Sequence, residues 1–176
     1  MTSEKSMVII LFAFLLAFAA ALIFLKPAPT SPTTPTFFQI YFSKARGSEM
    51  TVEAVNREFK APLDAVLIER RVKWAIDQLL KGPTQEEEAK GYFTDIPRET
   101  TVKKVYSKAN EIYVDLSLQF ETGGGSSSML QRVSELQHTI DAVPGLNNPV
   151  HLLIEGHKDD TVGGEGLEIP DPFVTK

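Results

Sequence analysis

The strongest constraint lies where a helix pattern is forced to stop. From Leu63 to Lys81, the residues Ala65, Ile68, Val72, Ala75, Ile76, Leu79 and Leu80 recur at helical spacing and form one apolar stripe. Glu69, Arg70, Lys73 and Asp77 take the other side. Pro62 suits a first helical turn, Gly82 suits a left-handed residue just past the last turn, and Pro83 forbids continuation. Burying one such Leu or Ile is worth about 1.5–3 kcal/mol, so the stripe is a core face that needs a layer to lie on. Trp74, at the edge of the stripe, is placed to reach a neighbouring surface.

The layer comes from strands on both sides of this helix. Phe37–Ser43 is aromatic and β-branched, nearly apolar on both faces, and suits a central strand. Lys44–Glu49 reads as a turn and Thr51–Phe59 as a second strand. After the helix, Thr84–Lys90 reads as a short helix or loop with Glu86, Glu87 and Glu88 on a solvated face. Gly91–Pro97 leads into a hairpin, with Tyr92, Phe93 and Ile96 packing beneath it. Its strands are Val102–Tyr106 and Glu111–Ser117, with the turn at Lys108-Ala109-Asn110. Ile112, Val114 and Leu116 alternate with Glu111, Tyr113 and Asp115.

A Gly-rich loop, Leu118–Ser128, follows, and Ser126, Ser127 or Ser128 is suited to cap the next helix. Met129, Leu130, Val133, Leu136, Gln137, Ile140 and Val143 form its stripe, and Pro144-Gly145 ends it. Pro149–Glu155 is a last strand. His157–Lys176 is an acidic Gly/Pro-containing tail with Leu167, Ile169 and Phe173 available to fold back. The order β-β-α-β-β-α-β predicts an α+β two-layer sandwich, with both amphipathic helices on one face of a mixed sheet.

Met7–Leu25 is an uncharged apolar run fenced by Lys5 and Lys26. At about 1.5 Å per residue it spans roughly 28 Å, enough for a single transmembrane helix. The run continues past the small residues Ala17–Ala21, so an uncleaved anchor is expected over a cleaved leader. Four prolines between Pro27 and Thr36 predict an extended spacer. A net charge of −5 argues against nucleic acid as a partner. The absence of cysteine removes disulfides, thiolate catalysis and Cys-ligated zinc.

Candidate chemistry is sparse. His151, Glu155 and His157 share a strand face only if the strand continues through Gly156, so an outward polar row is expected rather than a metal site. Gly123-Gly124-Gly125-Ser126 lacks the Lys-Ser/Thr pair of a phosphate loop and reads as a flexible lead-in to a helix. Asp115 and Ser117 have no histidine placed beside them and no Gly-x-Ser-x-Gly elbow, so they read as strand-end capping groups. No cofactor is expected.

Gly82-Pro83-Thr84, then Glu87 or Glu88, Gly91 with Thr94 and Ile96-Pro97, Val114-Asp115-Leu116-Ser117, Gly123–Ser126 and Ile154-Glu155-Gly156 follow one another in a set order. This order resembles the sporulation and spore-germination GerM-type (GerMN) domain family over Phe37–Gly156. Arg57 falls where that family has a strand ending near an arginine. The apolar run, the prolines and the tail composition divide the rest of the chain into an anchor at 1–26, a linker at 27–36 and a tail at 157–176 around the GerMN-like domain at 37–156. The resemblance implies the family's fold for that domain. It further implies an extracytoplasmic, non-enzymatic scaffold module of a bacterial envelope, on the periplasmic or lumenal side. Its partners would be the membrane, through the N-terminal helix, and an envelope protein or further copies of itself. Trp74, Tyr92, Tyr106 and Tyr113 are candidate interface residues. A binding module for an envelope glycan or peptide is the alternative, favoured if Tyr92, Phe93, Tyr106 and Tyr113 form a concave patch. A hydrolase is third.

Overall fold

Two long strands open the domain. β1 (Thr36–Arg46) and β2 (Glu49–Phe59) pair antiparallel without a break, from Thr36↔Phe59 to Arg46↔Glu49. Both run further into the expected turn than the sequence suggests. Lys44 and Arg46 both bind the Glu53 carboxylate across the ladder, which holds the two strand ends together up to Gly47. Phe38, Ile40 and Phe42 are buried while Phe37 and Gln39 are exposed, so β1 buries one face and not two. The computed structural model describes residues 35–47 and 49–176. The apolar run 7–25 and the spacer as far as residue 34 lie outside the described residues. Among the described residues no helix is long and apolar enough to cross a membrane.

The expected helix from Leu63 is broken. Leu63–Ala65 form one 3-10 turn, Val66 and Leu67 are extended, and α1 runs Ile68–Leu80. The carbonyls stranded by this break are not orphaned, because Arg71 donates to the carbonyls of Leu63, Val66 and Pro144. An arginine fork therefore holds the stretch where the helix is interrupted, leaving Ala65 exposed and Leu67 68% exposed. Val72, Ala75, Ile76 and Leu79 are buried as the stripe predicts. Gly82 ends the helix at φ +76. A short α2 (Gln85–Glu88) follows, with Thr84 and Glu87 forming a reciprocal capping box.

A single sheet was expected; the strands form two three-stranded sheets and a small hairpin. The first has the order β2-β1-β3, where β3 (Tyr92–Phe93) meets β1 only at Ser43 and Lys44. The second has the order β4-β5-β6, with β4 (Val102–Lys108) antiparallel to β5 (Glu111–Leu116) and β5 parallel to β6 (Val150–Ile154). Ala109 and Asn110, at φ 52 and 66, make the two-residue turn between β4 and β5. Ile112, Val114 and Leu116 are fully buried, as the alternation predicts.

The crossover from β5 to β6 contains a 3-10 turn with buried Phe120 and then α3 (Ser126–Asp141). Met129, Val133, Leu136 and Ile140 join the core with α1, but Leu130 is 52% exposed. No serine caps α3. Gly125 holds the cap position, and the Ser126 amide donates to the Glu165 carboxylate instead. After β6 the chain forms a hairpin of β7 (Thr161–Val162) and β8 (Leu167–Glu168) and returns along the domain. Val162, Phe173 and Val174 are buried, and Val174 exchanges two backbone hydrogen bonds with Val150.

Candidate interaction surface

The residues of the ordered sequence words serve the backbone. The Asp115 carboxylate accepts the Gly156 amide at 2.8 Å, and Gly156 sits at φ +79. Ser117 Oγ accepts the Thr101 amide, while the Ser117 amide donates to the Thr101 carbonyl. The ends of β5 and β6 and the entry to β4 are thus tied at one corner. Leu116 fills the core there, and its carbonyl accepts the Glu155 amide. Gly82, Pro83, Thr94 and Ile96 line a surface groove of about 510 Å³ with Phe93, Lys81, Glu88 and Arg98. Thr84 caps α2; Gly91, at φ +88, turns the chain into β3; Pro97 follows the groove.

Glu87 is not on a solvated face. It is mostly buried against the Arg57 guanidinium, which donates to both carboxylate oxygens and holds the carboxyl down at about 2. This pair ties β2 to α2.

A second polar centre gave no motif signal. On α3, Arg132, Glu135 and Thr139 lie on the buried side between the apolar residues. Glu135 is 0% exposed, and burial pushes its carboxyl up to about 7 although Ser43 and Thr94 donate hydrogen bonds that favour its charge. It accepts the Ser43 amide at 3.0 Å and the hydroxyls of Ser43 and Thr94, while Thr139 Oγ1 accepts the Tyr41 amide at 3.0 Å. Two side chains of α3 thereby occupy the side of β1 that β3 leaves unpaired. Arg132 donates to the carbonyls of Phe120, Thr122 and Gly123 and so shapes the Gly-rich loop. The available signal was three polar residues recurring at helical spacing within the apolar stripe of α3.

His151 was expected outward on a polar row and is instead buried. Its Nδ1 lies 2.6 Å from Asp171 and its Nε2 3.3 Å from Glu111, the latter without hydrogen-bond alignment. Lys158 and His151 hold the Asp171 carboxyl below its ordinary value. His151 stacks on Tyr113, and Tyr113 on Tyr106, at centroid distances of 4.9 and 5.2 Å across β6, β5 and β4. Lys104 covers the remaining side of the Tyr106 ring. The ring faces are occupied by one another. Tyr92 lies apart on β3 beneath Lys44, and Trp74 packs edge-on against Phe38 and Phe59. Tyr92 and Phe93 belong to one sheet and Tyr106 and Tyr113 to the other, so these four do not make one concave patch. Among the described residues, no three His, Asp or Glu side chains are arranged to hold a metal.

The outer strands complete the surface. Tyr41 and Ser43 aim their amides at α3, so even-numbered β1 residues bond β2, and their partners there are odd-numbered. The backbone groups of Met50, Val52, Ala54, Asn56 and Glu58 therefore point away from the sheet, and no backbone partner meets them among the described residues. β4 is also an outer strand, but a bulge between Val102 and Lys104 interrupts it.

No curated protein matches this chain. Of the solved structures, the tandem GerMN domains of the sporulation protein GerM from Bacillus subtilis align over 86% of this chain at 18% identity and a TM-score of 0.60. The chain spans half the length of that tandem structure. The first GerMN domain of the same protein aligns over 77% of this chain and 95% of its own length, at 20% identity and a TM-score of 0.53. At these identities the likeness concerns the fold. Residues 39–160 match the Germane family of sporulation and spore germination, and the chain is a member of that family.

Proposed function

We propose that this protein is a membrane-anchored, extracytoplasmic interaction module that acts by contact rather than by turnover, with residues 7–25 as the anchor and 27–36 as the spacer. One observation carries the reading: β2 presents a regular outer edge whose outward backbone groups have no partner among the described residues. Such an edge is a template for another strand. The family residues support the reading from the other side, since Asp115, Ser117 and Gly156 are engaged in closing backbone corners. The experiment is in-cell photo-crosslinking from Ala54 on β2, paired with a compartment-specific reporter fused after Lys176. The expected result is an adduct through Ala54 and reporter activity only in the exported compartment. Cytoplasmic reporter activity, or a silent position 54 in a folded protein, contradicts the proposal.

The groove beside Gly82 and Pro83 favours the second reading, a peptide site. Its lining joins Phe93 and Ile96 to the charges of Lys81, Arg98 and Glu88. Crosslinks from position 98 in place of 54 would select it.

A further inference from the structure

We infer that Glu135 is a proton-operated cover: while its carboxyl keeps its proton, α3 closes over the free side of β1, and loss of that proton lets this side open without unfolding the domain. The inference is independent of what pairs with β2. The Glu135 side chain is fully buried, and no cation holds its charge. Arg132, one turn away on α3, turns its guanidinium to the carbonyls of Phe120, Thr122 and Gly123. His138 stacks on Tyr41. Asp95, next to Thr94, opposes ionisation. Lys44 alternates to the opposite face of β1, where it binds Glu53. The residues that α1 buries are Val72, Ala75, Ile76 and Leu79, and none is charged.

The hydrogen bonds around Glu135 form two alternative sets. Ionised, the carboxylate accepts from the Ser43 amide and from the hydroxyls of Ser43 and Thr94. The Ser43 hydroxyl also lies 3.1 Å from Gln131 Oε1, and its single proton serves one acceptor at a time. Protonated, the carboxyl donates to Ser43 Oγ and the Ser43 hydroxyl turns to Gln131. Both hydroxyl protons are then paired and no charge is buried, whereas the ionised set leaves Gln131 without that bond and a charge away from water. Burial accordingly raises the carboxyl to about 7 from its ordinary 4.5. Closure is complete below pH 4.5 and weakens as pH rises through 7. α3 holds this side of β1 through the side chains of Glu135 and Thr139, while β2 holds the other through eleven paired residues, so the cover is the part that yields. Thr94 also lines the groove beside Gly82 and Pro83, and its hydroxyl accepts the Ile96 amide, so the same opening slackens that wall.

Amide hydrogen exchange reads the cover directly, because the Ser43 amide donates to Glu135 while Val114 lies buried in the middle strand of the second sheet. The full-length parent and Glu135→Gln are compared in detergent at about pH 6 and 8, each rate being divided by that of an unfolded peptide at the same pH. In the parent, Ser43 should be less protected than Val114, and its protection should fall about tenfold between the two pH values. In Glu135→Gln, which keeps a neutral donor and acceptor in place, it should not fall. The Ile96 amide should follow Ser43. Equal protection of Ser43 and Val114 overturns the inference, because the cover would then open only with the whole domain. Protection of Ser43 that ignores pH in the parent, or that falls alike in Glu135→Gln, overturns the part played by the proton. An unchanged Ile96 beside a responding Ser43 overturns the link to the groove. The comparisons within the parent decide the matter even where Glu135→Gln fails to fold.

Discussion

β2 and β4 are both outer strands of three-stranded sheets, and they are built in opposite ways. β4 carries Lys103, Lys104 and Lys108 within seven residues and loses register at its bulge. Lys103 is held by Glu155, and Lys104 lies over Tyr106. These are the devices by which sheets discourage a further strand. β2 has eleven residues in unbroken register, and its Glu53 and Arg57 are held by Lys44, Arg46 and Glu87 of the same domain. The third comparable position, the side of β1 away from β2, is closed by Glu135 and Thr139 of α3. Among the described residues, then, β4 is a defended edge, the far side of β1 and the outer side of β6 are covered, and β2 is left available. An edge can be read as functional only against the others in the same molecule.

The largest expected effect concerns the covered edge. Glu135 sits at about 7 in the folded protein, above its ordinary value of 4.5. A raised value means that its contribution to stability is complete below pH 4.5 and is lost as pH rises through 7. The loss should be on the order of 3 kcal/mol for the parent protein. Glu135→Gln should flatten that dependence in urea unfolding between pH 4.5 and 8. Glu87 works in the opposite sense: held at about 2, its contribution is present above pH 4.5 and fades only as pH falls toward 2. The two windows do not overlap, so the variant's effect is separable. Parallel pH profiles for parent and Glu135→Gln would mean that α3 does not close β1 through this carboxylate.

The next effect compares the two outer strands directly. Ala54→Pro removes an outward amide from β2 without touching a ladder bond, and Ser107→Pro does the same on β4. In-cell photo-crosslinking from Asn56 should fall at least about tenfold in Ala54→Pro, or ~1.4 kcal/mol, and stay unchanged in Ser107→Pro. Equal losses in both variants would dissolve the distinction between the edges.

Much of this architecture is legible in the sequence, for physical reasons that also mark where legibility ends. The β4–β5 hairpin follows from local alternation and a turn whose residues tolerate positive φ, and Gly82-Pro83 fixes the end of α1 by sterics alone. The break before Ile68 is not local: it depends on Arg71 reaching back to Leu63 and across to Pro144. The two-sheet arrangement is equally non-local, since it depends on α3 side chains occupying β1. Glu135 and His151 read as ordinary polar positions because periodicity registers apolar faces and is blind to a carboxylate or imidazole buried by partners distant in sequence. The edge contrast was in the sequence throughout, as three lysines on one strand and a single arginine among three glutamates on the other. It acquires meaning only once the topology names the outer strands.

Amide hydrogen exchange at residue resolution, compared between the protein in its native membranes and the purified protein, tests both edges at once. The outward amides of Val52, Ala54, Asn56 and Glu58 should be more protected in the native membranes than after purification, while those of Val105 and Ser107 on β4 exchange alike in both. Equal exchange in the two preparations at all six positions would contradict the claim that the β2 edge is kept open for a second strand.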